Sequence, residues 1–235
     1  MAPLLSQRLE CVLGLVRPCA VLADVGTDHA LLAAAAVARG VARRAIASDL
    51  REAPLVGARA HIERMGVAAQ VVTLMGDGLA HTELRGVDAV VIAGMSGETM
   101  LRILESAPHV LASVAQLIIQ PNQDAHKLRA WALRNGWHLL DEQMIEERGQ
   151  FFVVCAFAPH RGPDPAYSVA GWTEQALCKV GPRLLTRKDP VALRWFERQR
   201  ARVSHWLQRD PNRLKPELDV WDAACKAMQP ARAPL

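Results

Sequence analysis

The 235-residue chain has little cysteine, and what it has is unpatterned: Cys11, Cys19, Cys155, Cys178 and Cys225 are odd in number and form no Cys-x-x-Cys pair. That argues against a disulfide framework and against a zinc site. The eight histidines show no His-x-x-x-His spacing, so no metal is expected. Long apolar runs are missing too. The longest, Ala30 to Ala38, is stopped by Arg39 and falls far short of the about 20 residues a membrane span needs. The N-terminus carries no basic region followed by an apolar core and cleavage site, which leaves a cytoplasmic protein with no membrane association as the expectation. Also absent is a full Gly-x-Gly-x-x-Gly fingerprint; Asp24-Val-Gly-Thr-Asp-His29 holds a single glycine, weak support for any dinucleotide.

What is present is the balance of a globular protein, 51% hydrophobic and 22% charged, long enough for one domain with a smaller appendage. The formal net charge of +4 is unevenly spread. Residues 1–160 carry 14 Lys/Arg against 16 Asp/Glu, and residues 161–235 carry 14 against 8. A basic C-terminal part suits a polyanion, because Lys and Arg gain affinity by releasing the counterions of phosphates, although a solvated helix surface has the same composition.

Periodicity divides the chain further. Leu5 to Val16 places apolar residues on one helical face, and Ala20–Asp24, Ala45–Asp49, Gln70–Met75, Asp88–Ala93 and Gln116–Gln120 are strand-like runs separated by helical stretches. This alternation predicts an α/β fold with a parallel sheet between helices. His138–Ile145 and Phe151–Phe157 flank a polar connection and predict an antiparallel hairpin closing the sheet. Pro159 to Pro165 is rich in turn formers and reads as a linker between a domain over 1–160 and a basic, coiled-coil-like helical domain over 161–235. In the helix expected from Pro190 to Arg209, Arg194, Arg198 and Arg202 form a stripe apart from the apolar face.

Ligands of open parallel sheets bind at the carboxyl ends of the strands. After strand one, Asp24 and Gly26 shape a loop that leads into a helix N-terminus suited to a carboxylate. Asp49, with Leu50 beside it, ends strand two, where an acid can accept both hydroxyls of a ribose; a cap for the next helix is the structural alternative. Gly76-Asp77-Gly78 ends strand three and can meet an adenine edge, or be a simple turn. Gly94-Met95-Ser96-Gly97 ends strand four with room for a planar substrate, and Gln120-Pro121-Asn122 ends strand five with two amides that can hold a base edge or cap a helix.

The ordered set Leu5-Ser-Gln-Arg-Leu9, Ala23-Asp-Val-Gly-Thr-Asp-His-Ala30, Gly76-Asp-Gly-Leu79, Ile92-Ala-Gly-Met-Ser-Gly97, Ile119-Gln-Pro-Asn122 and Val180-Gly-Pro182 resembles the TrmK-type tRNA (adenine-22, N1)-methyltransferases over nearly the whole chain. The chain departs from the family pattern at Leu31, Ala33 and Ser96, and has Asp49 where many members carry glutamate. The resemblance implies a class I Rossmann-like methyltransferase with a mostly parallel seven-stranded sheet and an antiparallel C-terminal strand. It further implies S-adenosyl-L-methionine as cofactor and tRNA as partner. On this reading Asp24, Gly26, Asp28, His29, Asp49, Leu50, Asp77, Gly78, Gly94 and Met95 hold the cofactor. Arg8, Ser96, Gly97, Gln120, Arg194, Arg198 and Arg202 hold RNA, Asp28 faces the charge that develops on the purine, and Asn122 orients the base. A small-molecule methyltransferase and a non-catalytic tRNA-binding protein of the same fold stand as the other two readings.

Overall fold

A computed structural model describes residues 5–81, 84 and 86–229. Ser6 accepts the Leu9 N–H and starts helix α1 (Gln7–Gly14), which ends before Pro18 as its turn signals require. Strands β1 (Cys19–Val25), β2 (Ala42–Asp49), β3 (Val71–Met75), β4 (Ala89–Ser96) and β5 (Gln116–Gln123) are all parallel. β6 (Trp137–Glu147) and β7 (Gln150–Pro159) form the expected hairpin, and β7 enters antiparallel between β5 and β6. The strand order is β3-β2-β1-β4-β5-β7-β6, a seven-stranded sheet with β1 and β4 at the centre, where the direction of winding reverses.

Helices α2 (Leu31–Ala38), α3 (Glu52–Arg64), α4 (Gly97–Ser106), α5 (Pro108–Leu111) and α6 (Ala125–Arg134) make the crossovers. The alanines of α2 explain how it fits: Ala33 to Ala36 are fully buried, so the helix lies close against the sheet with no side chain to hold it off. Strand β5 runs three residues beyond the expected end at Gln120, through Pro121. The pairing of β4 with β5 is bulged there, with Pro121 opposite Met95, and a bulge tolerates a residue without an N–H.

Beyond β7 the chain is helical: α7 (Glu174–Val180), α8 (Pro182–Arg187), then α9 (Pro190–Trp206) and α10 (Pro211–Met228) packed together as a hairpin. The segment expected as a linker is tied down. Asp164 is buried and accepts the Leu139 and Ala166 N–H groups at 2.7 and 2.9 Å, and the His138 ring meets the Gly162 carbonyl oxygen at 2.9 Å. One contiguous apolar cluster runs from Val90 and Ile92 of the sheet to Leu184, Phe196 and Trp221 of the helices. Within it sits a buried ion pair, Arg129 of α6 with Glu142 of β6 at 2.6 Å. Burial disfavours the Arg129 cation, but the adjacent Glu142 carboxylate outweighs it and holds the guanidinium above its ordinary pKa. Arg129 also donates to the Cys178 carbonyl oxygen at 2.8 Å, joining α7 to the sheet. The glycine of Val180-Gly-Pro182 lies over this pair with φ +92°; a Cβ there would stand 2.7 Å from Glu142 Oε2 and 2.9 Å from Arg129 Nη2. No described helix is long and apolar enough to cross a membrane.

Candidate active site

The carboxyl ends of β1, β2 and β3 present the predicted acids. Asp24 is buried, and the Thr27 hydroxyl donates to it at 2.7 Å. Burial pushes its carboxyl up to about 6, against the opposing effects of that hydroxyl and of the Ala33 backbone. Gly26 has φ +74°, donates its N–H to the Ser48 carbonyl oxygen, and has no room for a Cβ because the Met95 methyl lies against it. His29 and Ala30 follow with φ +56° and +52°, a left-handed pair of non-glycine residues that costs about 1–3 kcal/mol each. That turn leaves the N-terminus of α2 without a side-chain cap. The His29 ring packs on Gly57 of α3, where any Cβ would overlap it, and stands 3.4 Å from Asp28, whose side chain is 85% exposed.

Asp49 is not the cap of α3; that position belongs to Arg51, whose N–H Asp49 Oδ1 accepts at 2.8 Å. The Asp49 side chain is 11% exposed and flanked at the strand ends by two uncovered apolar residues, Leu50 at 64% and Met75 at 58%. Exposed large side chains next to a carboxylate at strand ends suit a nucleoside, with apolar faces for the base and an acid for the ribose. Asp77 is exposed and Gly78, at φ +60°, packs against Ile103. These strand ends, the donor side of the site, carry residues that fit S-adenosyl-L-methionine. Among the described residues no group of three or more His, Cys, Asp or Glu is arranged to hold a metal ion.

The ends of β4 and β5 are organised differently. Gln120 is fully buried; its Oε1 accepts from Arg8 Nη1 at 2.6 Å and from the Gly94 N–H at 3.1 Å, and its Nε2 donates to the Pro121 carbonyl oxygen at 3.0 Å. Through these bonds Gln120 positions Arg8 and the Gly94 loop. Ser96 is the N-cap of α4, its Oγ accepting the Thr99 N–H at 3.1 Å, and Gly97 is buried where a Cβ would come within 2.9 Å of the Gln123 and Asp124 carbonyl oxygens. Ser96 is part-buried and Gly97 buried, and together they shape the turn from β4 into α4. Asn122 is exposed, and its Nδ2 donates to the Gly94 carbonyl oxygen at 2.7 Å.

Beside Gly94 opens a cleft of about 640 Å³ lined by Arg8, Asn122, Phe152, Trp195, Arg198 and Arg202 among others. The Arg8 guanidinium lies 5.7 Å from the Phe152 ring centre, and Arg198 lies 5.8 Å from that of Phe151. Arg194 stands apart from this cleft, paired with Glu146 at 2.8 Å. Asp28 lines neither this cleft nor the one adjoining it, and it makes no hydrogen bond to Asn122. Met95 links the two halves of the site, for it follows Gly94 in the chain and its methyl rests on Gly26.

Residues 5–155 match the methyltransferase domain family. The chain is 36% identical over 191 residues to the tRNA (adenine(22)-N(1))-methyltransferase of Bacillus subtilis (strain 168), a stretch spanning 81% of this chain and 79% of the relative. The chain belongs to that methyltransferase family. The crystal structure of the B. subtilis M1A22 tRNA methyltransferase TrmK superposes with a TM-score of 0.81 at 29% identity, covering 96% of this chain and 97% of that one. A Streptococcus pneumoniae protein, Sp1610, crystallised with S-adenosyl-L-methionine superposes with a TM-score of 0.85 at 29% identity over 94% and 100% of the two chains.

As a member of this family the chain uses S-adenosyl-L-methionine. Sequence reasoning missed Met75, which flanks Asp49, and Gly57, which makes room for His29. It also missed Phe151, Phe152 and Trp195. The two phenylalanines are adjacent in a strand, so their side chains point to opposite faces and cannot both enter one core; that was the available signal.

Proposed function

We propose that this methyltransferase acts in the cytoplasm on N1 of the adenine at position 22 of tRNA, binding the base in the cleft beside Gly94. What carries this reading is the adjacency of acid-bearing strand ends and a cationic, aromatic cleft beside Gly94, joined through Met95. On this reading Asp49 accepts the ribose hydroxyls, Leu50 and Met75 flank the adenine of the cofactor, Asp77 meets its amine, and the Gly26 loop and the start of α2 receive its carboxylate. The cofactor supplies a methyl group already activated on a sulfonium.

The protein's own residues then align and shield. Asn122, held by Gly94, orients the base edge, while Phe152 and Trp195 offer faces to an adenine drawn out of the tRNA fold, a step costing a few kcal/mol. N1 is itself the nucleophile, so in-line alignment and exclusion of water are the main requirements. Transfer leaves one positive charge on the purine; Asp28, which lies outside the cleft that takes the base, is assigned to the cofactor loop. Arg8, Arg198 and Arg202 meet phosphates, and residues 161–235 act as the part that holds RNA. The test is incubation with isotope-labelled cofactor and bulk tRNA, followed by nucleoside analysis. Label in 1-methyladenosine from position 22 is expected, and cofactor binding without transfer to RNA would overturn the reading.

A further inference from the structure

A second cleft, of about 540 Å³, adjoins the first. It lies between the start of α6, the outer strands and the C-terminal helices, and five residues line both clefts: Asn122, Phe151, Trp195, Gln199 and Arg202. Two aromatic rings and an arginine therefore stand between two compartments, each large enough for a small ligand. The floor of the second cleft is apolar and deeply buried, formed by Met144, Val153 and Trp221. Its rim is polar, with exposed His126 on one side and Lys179, paired with Glu217 at 3.0 Å, on the other. Arg129 also lines it, and the Nη2 of that buried guanidinium has no hydrogen-bond partner. An apolar, aromatic floor with donors and acceptors at the rim is the chemistry of a nucleobase site.

We propose that the second cleft is a nucleotide subsite that takes the base next to the methylated adenine, with Arg202 holding the phosphate between them. The inference rests on the tRNA reading above. An adenine extruded from a stacked RNA leaves its neighbour with an open face, and a pocket for that neighbour offsets part of the unstacking cost. Trp195 and Phe151 then stack between the two bases, and the backbone passes from one cleft to the other across Arg202.

The test uses the full chain, S-adenosylhomocysteine and tRNA transcripts carrying 4-thiouridine on either side of the target adenosine. Irradiation is expected to cross-link one flanking position to the segment 123–126 or to Lys179; cross-links from both positions that fall only elsewhere would overturn the proposal. His126→Trp, an exposed position, fills the rim and is expected to raise KM for tRNA about tenfold, with kcat, cofactor affinity and Tm unchanged. An unchanged KM would overturn the subsite while leaving tRNA methylation by the unaltered chain intact. Failure of the unaltered chain to methylate tRNA at all would instead overturn the reading on which the subsite rests.

Discussion

The strand ends proposed to hold the methyl donor and the cleft proposed to take the acceptor lie at the same end of the sheet but are built in opposite ways. The donor side is local: β1, β2 and β3 each carry an acid at or just past the strand end, Asp24, Asp49 and Asp77, within a short continuous stretch of sequence. The acceptor side is assembled from afar, with Arg8 reaching Gln120 across 112 positions of sequence and Trp195, Arg198 and Arg202 arriving from α9. A cofactor shared by many enzymes can be met by short-range backbone geometry. A folded RNA needs surfaces that only tertiary packing brings together.

The comparison predicts that the two sides fail separately. The largest effect is expected from Arg129→Met, which leaves Glu142 buried without its partner and should lower unfolding free energy by about 3–5 kcal/mol in denaturant titrations. At low temperature the remaining folded protein should still bind S-adenosyl-L-methionine, and an equal loss of cofactor affinity would show the sides to be one unit.

Asp24→Asn probes the donor side through pH. The Asp24 carboxyl titrates near 6 in the fold against 3.8 for a free side chain, so its contribution to stability is fully present below the lower value and is lost as pH rises through the upper one. At pH 8 the cofactor-free Asn variant should therefore be more stable than the parent, by up to about 3 kcal/mol, with the difference vanishing near pH 4. A pH-independent difference in melting curves would contradict the assignment. The smallest effect belongs to Arg198→Ala with Arg202→Ala. The slope of log affinity for tRNA against log salt should fall by about 2, with cofactor affinity untouched.

The same contrast governs how much could be read from the chain. The strands, the closing hairpin and the acids at the strand ends follow from periodicity and from what stands beside them in sequence. The order of the strands in the sheet is instead set by long-range pairing and was legible only through the family resemblance. The bonds of Gln120 and Ser96 within the protein were not legible, since an amide or hydroxyl at a strand end looks identical whether it faces a ligand or satisfies backbone groups of its own protein. Phe151 and Phe152 counted as ordinary strand residues until α9 was seen to pack beside them. The Pro-rich segment looked like a linker because turn formers mark both free and fastened connections; Asp164, buried against β6, decides which.

The glycine over the buried ion pair has a consequence for how this sequence can drift. Arg129, Glu142 and Gly181 come from three separate elements, yet no one of them tolerates replacement alone. A side chain at position 181 would intrude on both charged groups, and losing either charge strands the other in an apolar interior. Arg129 and Glu142 can therefore change only as a pair, and a side chain at position 181 becomes possible only after that pair has given way to groups that leave it room.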